Sequence, residues 1–380
     1  CTVTHVADRK GRQAVRSARR NHPKSTIVVT GCYVERDKTS IEALSEVDIV
    51  LGNTRKPDIV SEVLKQFNGE EVPNNNYYDY EMPDVSNRSR AMLKIQEGCD
   101  QLCSYCIVPK VRGREKSVPA DILVNSVNRL VEGGYMEVVL TGTQLGSYGF
   151  DLDNTSLTSM ITDILNKTSV ARLRISSLQP QELSRELLEL WHDIRLCPHF
   201  HIPLQSGANQ ILQDMRRRYT TQQFAQSVDL IRSRIKNPGI TTDLILGFPG
   251  EDEFLFGQTL EFIQHIQFSD MHVFPYSRRP GTSAYYYEGS IEAETKKTRT
   301  KLVLNIAEQQ FNNFRHRQIG TIRPVLWESR GTGSKSNIWS GLTDNYIRIY
   351  TENSWNLKNQ ITNTNVLGFG PKGLMGLVEG

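Results

Sequence analysis

Glu97-Gly-Cys-Asp-Gln-Leu-Cys-Ser-Tyr-Cys-Ile-Val-Pro109 sets three thiols, Cys99, Cys103 and Cys106, at a CX3CX2C spacing. Thiolates so spaced reach three irons of one [4Fe–4S] cube from a single loop and leave the fourth iron without a protein ligand. An open iron can bind a small molecule, so such a cluster is a place for chemistry as well as an electron relay. A zinc ribbon pairs one CX2C with another, and no fourth Cys or His stands at ligand spacing downstream. A disulfide is disfavoured because the three form an odd group in a chain with no secretory feature. The iron–sulfur reading is therefore preferred over zinc and over unligated thiols.

Around this loop the chain repeats a short apolar strand, a loop and a helix. Strands are predicted at Met92–Ile95, Glu137–Thr141, Ala171–Ile175, Phe200–Pro203, Thr241–Leu246 and Met271–Phe274. Amphipathic helices fall between them, among them Ala120–Glu132, Leu157–Asn166, Gln181–His192, Asn209–Arg217 and Phe254–Ile266. Six strands with helical crossovers imply an α/β fold with a parallel sheet, doubly wound or curved as part of a barrel. Such folds place their sites in the loops at strand C-termini, and the cysteine loop directly follows the first strand. Four further strand ends carry small or polar residues: Thr141-Gly-Thr-Gln144, Ser176-Ser-Leu-Gln-Pro180, Pro203-Leu-Gln-Ser-Gly207 and Asp243-Leu-Ile-Leu-Gly-Phe-Pro-Gly-Glu251. Glycine admits a ligand close to the backbone, and amides or hydroxyls can bond ribose, amino or carboxylate groups.

Outside this repeat, the first ~65 residues read as a small α/β unit, with a helix at Thr4–Arg20 and strands at Thr26–Thr30 and Val47–Leu51. Residues 67–90, rich in Asn, Tyr, Asp and Pro, read as a linker. After a charged helix at Glu292–Arg315, strands at Thr321–Glu328, Asn337–Trp339, Tyr346–Tyr350 and Leu374–Val378 suit a compact antiparallel barrel. No apolar run approaches the ~18 residues of a membrane helix. The six cysteines suggest a reducing compartment in which thiolates stay available for metal.

A net charge of +3 names no partner, but its distribution is informative. Arg9, Lys10, Arg12, Arg16, Arg19, Arg20 and Lys24 form a basic run without an acid, and smaller groups occur at Lys110–Lys116 and Arg216–Arg218. Together they favour an anionic macromolecule such as nucleic acid. On spacing alone Cys1 and Cys32 read as unrelated thiols, and Cys197 as a packing thiol. His199 and His201 share one strand face, and a structural role is expected for both.

With these residues in view, the chain resembles the radical S-adenosylmethionine (SAM) methylthiotransferases over essentially its whole length. The resemblance rests on the CX3CX2C loop and on Cys-Thr-Val-Thr-His-Val-Ala-Asp-Arg-Lys at 1–10, Val-Val-Thr-Gly-Cys-Tyr at 28–33, His-Ile-Pro-Leu-Gln-Ser-Gly at 201–207, Met-Arg-Arg-Arg-Tyr at 215–219 and the 243–251 stretch. It implies a methylthiotransferase N-terminal α/β domain (1–66), a linker (67–90), a radical SAM partial (β/α)6 TIM-type barrel (91–315) and a small TRAM β-barrel (316–380). By resemblance, Cys99, Cys103 and Cys106 hold the cluster whose open iron binds SAM, and one electron then yields a 5′-deoxyadenosyl radical. Gly142, Gln144, Ser176, Gln205 and Asp243 are the SAM contacts expected in the strand-end loops.

The resemblance also changes the reading of Cys1 and Cys32. They match the second and third ligands of an auxiliary [4Fe–4S] cluster that carries the sulfur to be inserted, a second SAM supplying the methyl group. The first ligand is expected upstream of Cys1, in a segment this chain lacks, so the auxiliary cluster is expected to be unstable in the chain as given. The start of the chain and Thr141–Gly149 resemble the MtaB-like branch, which methylthiolates N6-threonylcarbamoyladenosine at C2 beside the tRNA anticodon. Isopentenyladenosine is the alternative substrate, and a noncatalytic iron–sulfur RNA-binding protein the rival of another class. The implied partners are the tRNA anticodon stem-loop, contacted by the basic helix and the Tyr346–Tyr350 strand, and a reductant such as flavodoxin or ferredoxin. A cytoplasmic monomer is expected.

Overall fold

Thr4 accepts a hydrogen bond from the Ala7 amide and so starts α1 (His5–Asn21) one residue later than the composition suggested. The computed structural model describes residues 1–68, 88–331 and 337–379. The chain divides into two compact units, the first being Cys1–Glu81 with Glu97–Glu115 and Ser277–Glu288, the second the remainder. The cysteine loop thus belongs to the same unit as Cys1 and Cys32.

In the first unit β1 (Val28–Thr30) runs parallel to β2 (Ile49–Leu51), with Val28 opposite Ile49. Around them lie α2 (Cys32–Arg36), α3 (Lys38–Glu42), α4 (Ile59–Asn68) and α5 (Val108–Arg112). Tyr33, Val34 and Ile41 form a small core with Val29, Leu44, Val47 and Val50. The basic run on α1 is not uniformly free. Arg19 ties α1 to the Pro23, Ser25 and Glu46 carbonyls and to the Asp48 carboxylate, whereas Arg9, Lys10, Arg20 and Lys24 are exposed. Of the expected linker, Phe67 and Asn68 end α4 and Arg90 opens a strand, while 69–87 lie outside the described residues.

The second unit carries six parallel strands: β3 (Arg90–Lys94), then, past the two-residue strands β4 (Gln96–Glu97) and β5 (Lys116–Ser117), β6 (Glu137–Thr141), β7 (Arg172–Ile175), β8 (His199–His201), β9 (Gly239–Leu246) and β10 (Asp270–Pro275). They form two sheets, β3-β6-β7 and β10-β9-β8, joined by parallel bridges Leu173–Leu196 and Ser177–His201. Helices α6 (Ala120–Glu132), α7 (Leu157–Lys167), α8 (Arg185–Glu189), α9 (Asn209–Asp214), α10 (Thr221–Arg234) and α11 (Glu253–Ile266) are the crossovers. Val138, Leu140, Leu173, Ile175, Leu244 and Leu246 are buried at alternate positions, as are the apolar stripes of α6 and α7. The other face carries polar residues from every strand, among them Glu137, Arg172, Arg174, His201, Asp243 and His272.

After α12 (Ala293–His316), strands β11 (Ile322–Arg330), β12 (Ile338–Thr343), β13 (Arg348–Glu352), β14 (Ile361–Gly370) and β15 (Gly373–Val378) close into a barrel ordered β11-β12-β13-β15-β14. Val325, Trp327, Trp339, Ile347, Ile349, Val366 and Leu374 fill it, together with Phe314 of α12. The barrel docks on the N-terminal ends of the parallel strands. Arg172 donates to the Leu342 and Thr343 carbonyls, Arg174 to that of Asp344, and Tyr346 stacks on His199 with ring centroids 4.3 Å apart. Tyr346, expected among the RNA contacts, stacks in this joint and stays 43% exposed. The strand C-termini lie at the opposite end.

Candidate functional site

The cysteine loop is a clasp closed by its own backbone. The Cys99 amide donates to the Gly113 carbonyl at 3.2 Å, the Cys106 amide to that of Cys103 at 3.1 Å, and Asp100 pairs with Arg114 at 2.8 Å. The Ala284 amide reaches the Ser104 carbonyl and ties the 277–288 segment to the loop. Gly98 sits at φ +76°, and a Cβ there would lie 1.9 Å from the Arg114 carbonyl oxygen, so only glycine lets the two ends of the clasp meet. Gly98→Ala, with left-handed strain plus overpacking of roughly 2–4 kcal/mol, is expected to lower the iron bound per chain after anaerobic reconstitution. Unchanged iron content would defeat this account of the clasp.

The three cysteines are half-buried and unpaired by disulfides. Burial pushes the Cys99 thiol up to about 11; the Gln101 amide 3.4 Å from its sulfur opposes this, while Cys106 and Cys103 add to it. A thiol raised in this way resists becoming a thiolate unless a cation takes up the charge. That donor set fits an iron–sulfur cluster. Cys32 opens α2 straight after β1, and Arg112, at the end of α5, places Nε 3.4 Å from its sulfur. Cys1 is exposed, and its neighbour Thr2 is held in a buried network with Asp8, Arg36 and Arg279.

In the second unit three strand-end loops brace one another. The Thr143 and Gln144 amides both donate to Gln96 Oε1 at 2.9 Å. The Gln144 side chain bonds Glu182 and accepts from Gln179, whose own Oε1 accepts from Arg217 at 3.1 Å. A Cβ on Gly142 would lie 2.7 Å from Leu145 Cδ2, and one on Gly146 1.9 Å from Glu182 Cδ, so these glycines serve close packing within the brace. Ser176 continues β7, its amide donating to the Leu140 carbonyl. Gln205 is buried at φ +68°, a left-handed conformation that side chains rarely adopt, and it exchanges backbone bonds with Asp243 and Ile245. Asp243 lies between His201 and His272, each 3.2 Å away. Sequence reasoning missed Gln96, Glu182 and His272, which stand in no repeated motif and are brought in by strand register and loop packing.

Comparison with known proteins decides the family. The Radical SAM superfamily model matches residues 93–263, and that of the uncharacterized protein family UPF0004 matches residues 1–52. The threonylcarbamoyladenosine tRNA methylthiotransferase MtaB of Bacillus subtilis is 33% identical over 97% of this chain and 84% of its own length. The chain belongs to the radical SAM methylthiotransferase family. Membership makes it a transferase that works with a [4Fe–4S] cluster and SAM. Another relative, the tRNA-2-methylthio-N(6)-dimethylallyladenosine synthase of Dictyoglomus thermophilum, is 32% identical over 93% of this chain and 82% of that protein. Among solved structures, the radical S-adenosylmethionine methyltransferase TsrM of Kitasatospora setae shares the fold with a TM-score of 0.54, at 12% identity, over 70% of this chain and 57% of that one. No helix among the described residues of this methylthiotransferase is long and apolar enough to cross a membrane.

Proposed function

We propose that this chain inserts a methylthio group at C2 of N6-threonylcarbamoyladenosine, beside the anticodon of tRNA. The observation that carries this reading is the chain-wide likeness to the Bacillus subtilis protein of that name. Cys99, Cys103 and Cys106 would hold the SAM-binding cluster, and Cys1 and Cys32 would be ligands of the auxiliary one. When bound, the first cluster and SAM supply a radical able to take hydrogen from an unactivated C–H bond. The clasp fixes the three thiols, and Arg112 orients the Cys32 sulfur. The Gln96–Gln144–Glu182–Gln179–Arg217 brace holds the strand ends rigid around SAM, with Gly142, Gln144, Ser176 and Gln205 on its boundary. We read the six parallel strands as a partial (β/α)6 TIM-type barrel and the C-terminal barrel as TRAM, within the four-part division given above.

Exposed Arg9, Lys10, Arg20 and Lys24 supply phosphate contacts, and an unpaired anticodon-loop base is the kind of target a protein can splay out and read. A tRNA substrate places the enzyme in the cytoplasm, acting as a monomer with a flavodoxin- or ferredoxin-type reductant. The test is nucleoside mass spectrometry of tRNA from a strain lacking the protein. Loss of the methylthiolated threonylcarbamoyl nucleoside is expected. Loss of methylthio-isopentenyladenosine instead, with the threonylcarbamoyl form intact, would select the alternative substrate.

Gln205 provides a separate check on the strand-end loops. Gln205→Gly removes a left-handed side chain, relieving about 1 kcal/mol of strain, so thermal stability is expected to hold or rise. SAM cleavage is expected to fall. A variant as active as the parent would remove Gln205 from the SAM site.

A further inference from the structure

One group of ligating side chains contains none of the cysteines. Register pairs His201 with Thr241 and His272 with Asp243, so parity sets His201 of β8, Asp243 of β9 and His272 of β10 side by side on one sheet face. His201 Nε2 stands 3.2 Å from Asp243 Oδ2, and His272 Nδ1 stands 3.2 Å from Asp243 Oδ1. One donor atom from each residue lies within 4.8 Å of the other two. We propose that His201, Asp243 and His272 form a binding site for a divalent first-row transition-metal cation.

Two imidazoles and one carboxylate are a donor set that such ions accept facially, leaving further positions for water or for a substrate oxygen. All three ligands stand on adjacent strands rather than on loops, which holds their spacing. The His201 ring is also oriented from behind. Its Nδ1 lies 3.0 Å from Thr241 Oγ1, and the same hydroxyl lies 3.1 Å from His199 Nε2. A hydrogen-bond partner on the non-ligating nitrogen is what a metal-binding imidazole requires to present the other nitrogen as a lone pair. A purely structural Asp–His pair would be complete with His201 alone. His272, whose side chain is 59% exposed, adds no burial to that pair, and its place opposite the second carboxylate oxygen is explained by a shared ligand. Asp243 then serves a cation rather than SAM.

Binding can be measured without tRNA or SAM, so it stands or falls separately from the methylthiotransferase reading. Mn²⁺ is the probe, because it prefers nitrogen and oxygen donors to thiolates, and cluster-loaded protein is used so that Cys99, Cys103 and Cys106 are already occupied. The free-ion electron paramagnetic resonance signal is followed during titration. The parent is expected to take up one Mn²⁺ per chain. Asp243→Asn and His272→Ala are each expected to weaken that uptake by at least about 10-fold. His272 is exposed enough for its alanine variant to keep the fold. Equal uptake by the parent and His272→Ala, or no uptake by the parent, overturns the proposal.

Discussion

Cys99→Ala is expected to abolish formation of 5′-deoxyadenosine from SAM under reducing, anaerobic conditions. Even the outer partners of metal ligands are worth about 10–100-fold, so loss of a direct ligand should exceed about 100-fold. The effect is large because the clasp offers no substitute. The thiols are Cys99, Cys103 and Cys106, and the neighbouring acids, Asp100 and Glu115, are already engaged with Arg114 and with backbone amides. The experiment compares parent and variant after reconstitution, measuring iron per chain and 5′-deoxyadenosine by mass spectrometry. A variant with the parent's yield would leave only the rival reading, in which the thiols staple an RNA-binding loop. That rival has no use for a polar brace linking three strand-end loops or for a strained, buried Gln205 beside them. Strain of this kind persists where surrounding structure enforces it, and it concentrates at functional sites.

Much of this architecture could be read from residue order. Helix α6 occupies the predicted Ala120–Glu132, because its Leu and Val residues recur at helical spacing between Pro119 and Gly133. The six parallel strands fall where short apolar runs stood, each within two residues at its ends. The expected helix at Gln181–His192 is broken into the short α8 flanked by two 3-10 turns, since Ser184 caps a new start at Arg185. Strand β14 was not foreseen at all. Ile361–Gly370 interleaves Asn, Thr and Gly with few apolar residues, and only pairing on both sides, with β11 and β15, makes it a strand.

The site divides in the same way. Cysteine spacing is local and therefore legible. The companion residues are not local: His272 meets Asp243 through strand register, and Arg112 meets Cys32 across eighty residues of chain. His199 and His201 shared a face as expected, yet they part in role. The first packs against Tyr346 of the barrel and the second joins Asp243. The basic run on α1 likewise divides, Arg19 stapling the first unit and its exposed neighbours remaining for an anion.

The second large effect is expected at the far end of the strands, where Glu137→Gln should destabilise the second unit by about 3–5 kcal/mol, the usual consequence of removing one partner from a buried charge cluster. Glu137 is fully buried, with its carboxylate 2.7 Å from Arg174 and 2.8 Å from Arg172. Glutamine keeps the shape but leaves two buried guanidinium groups without a counter-charge. Both arginines also hold carbonyls at the end of β12 or in the turn after it, and Arg174 lies 5.0 Å from the centre of the Tyr346 ring, so the barrel should loosen as the cluster fails. Urea unfolding followed by tryptophan fluorescence reads this directly, because Trp327 and Trp339 sit in the barrel core. Asp163→Asn, which removes an exposed i,i+4 partner of Lys167, is the control and should cost no more than about 0.5 kcal/mol. Acid gives an independent arm. Burial alone would raise the Glu137 carboxyl, but Arg174 and Arg172 outweigh it and hold the group below its ordinary 4.5. A carboxylate depressed in the folded state contributes stability above its unfolded value and loses it as pH falls through the folded one. The parent should therefore weaken progressively below about pH 4.5, and Glu137→Gln, with no proton to take up there, should show less of that decline. A shift in urea midpoint no larger than the control's would mean that the two arginines are satisfied by backbone carbonyls alone, and that the barrel does not depend on this cluster.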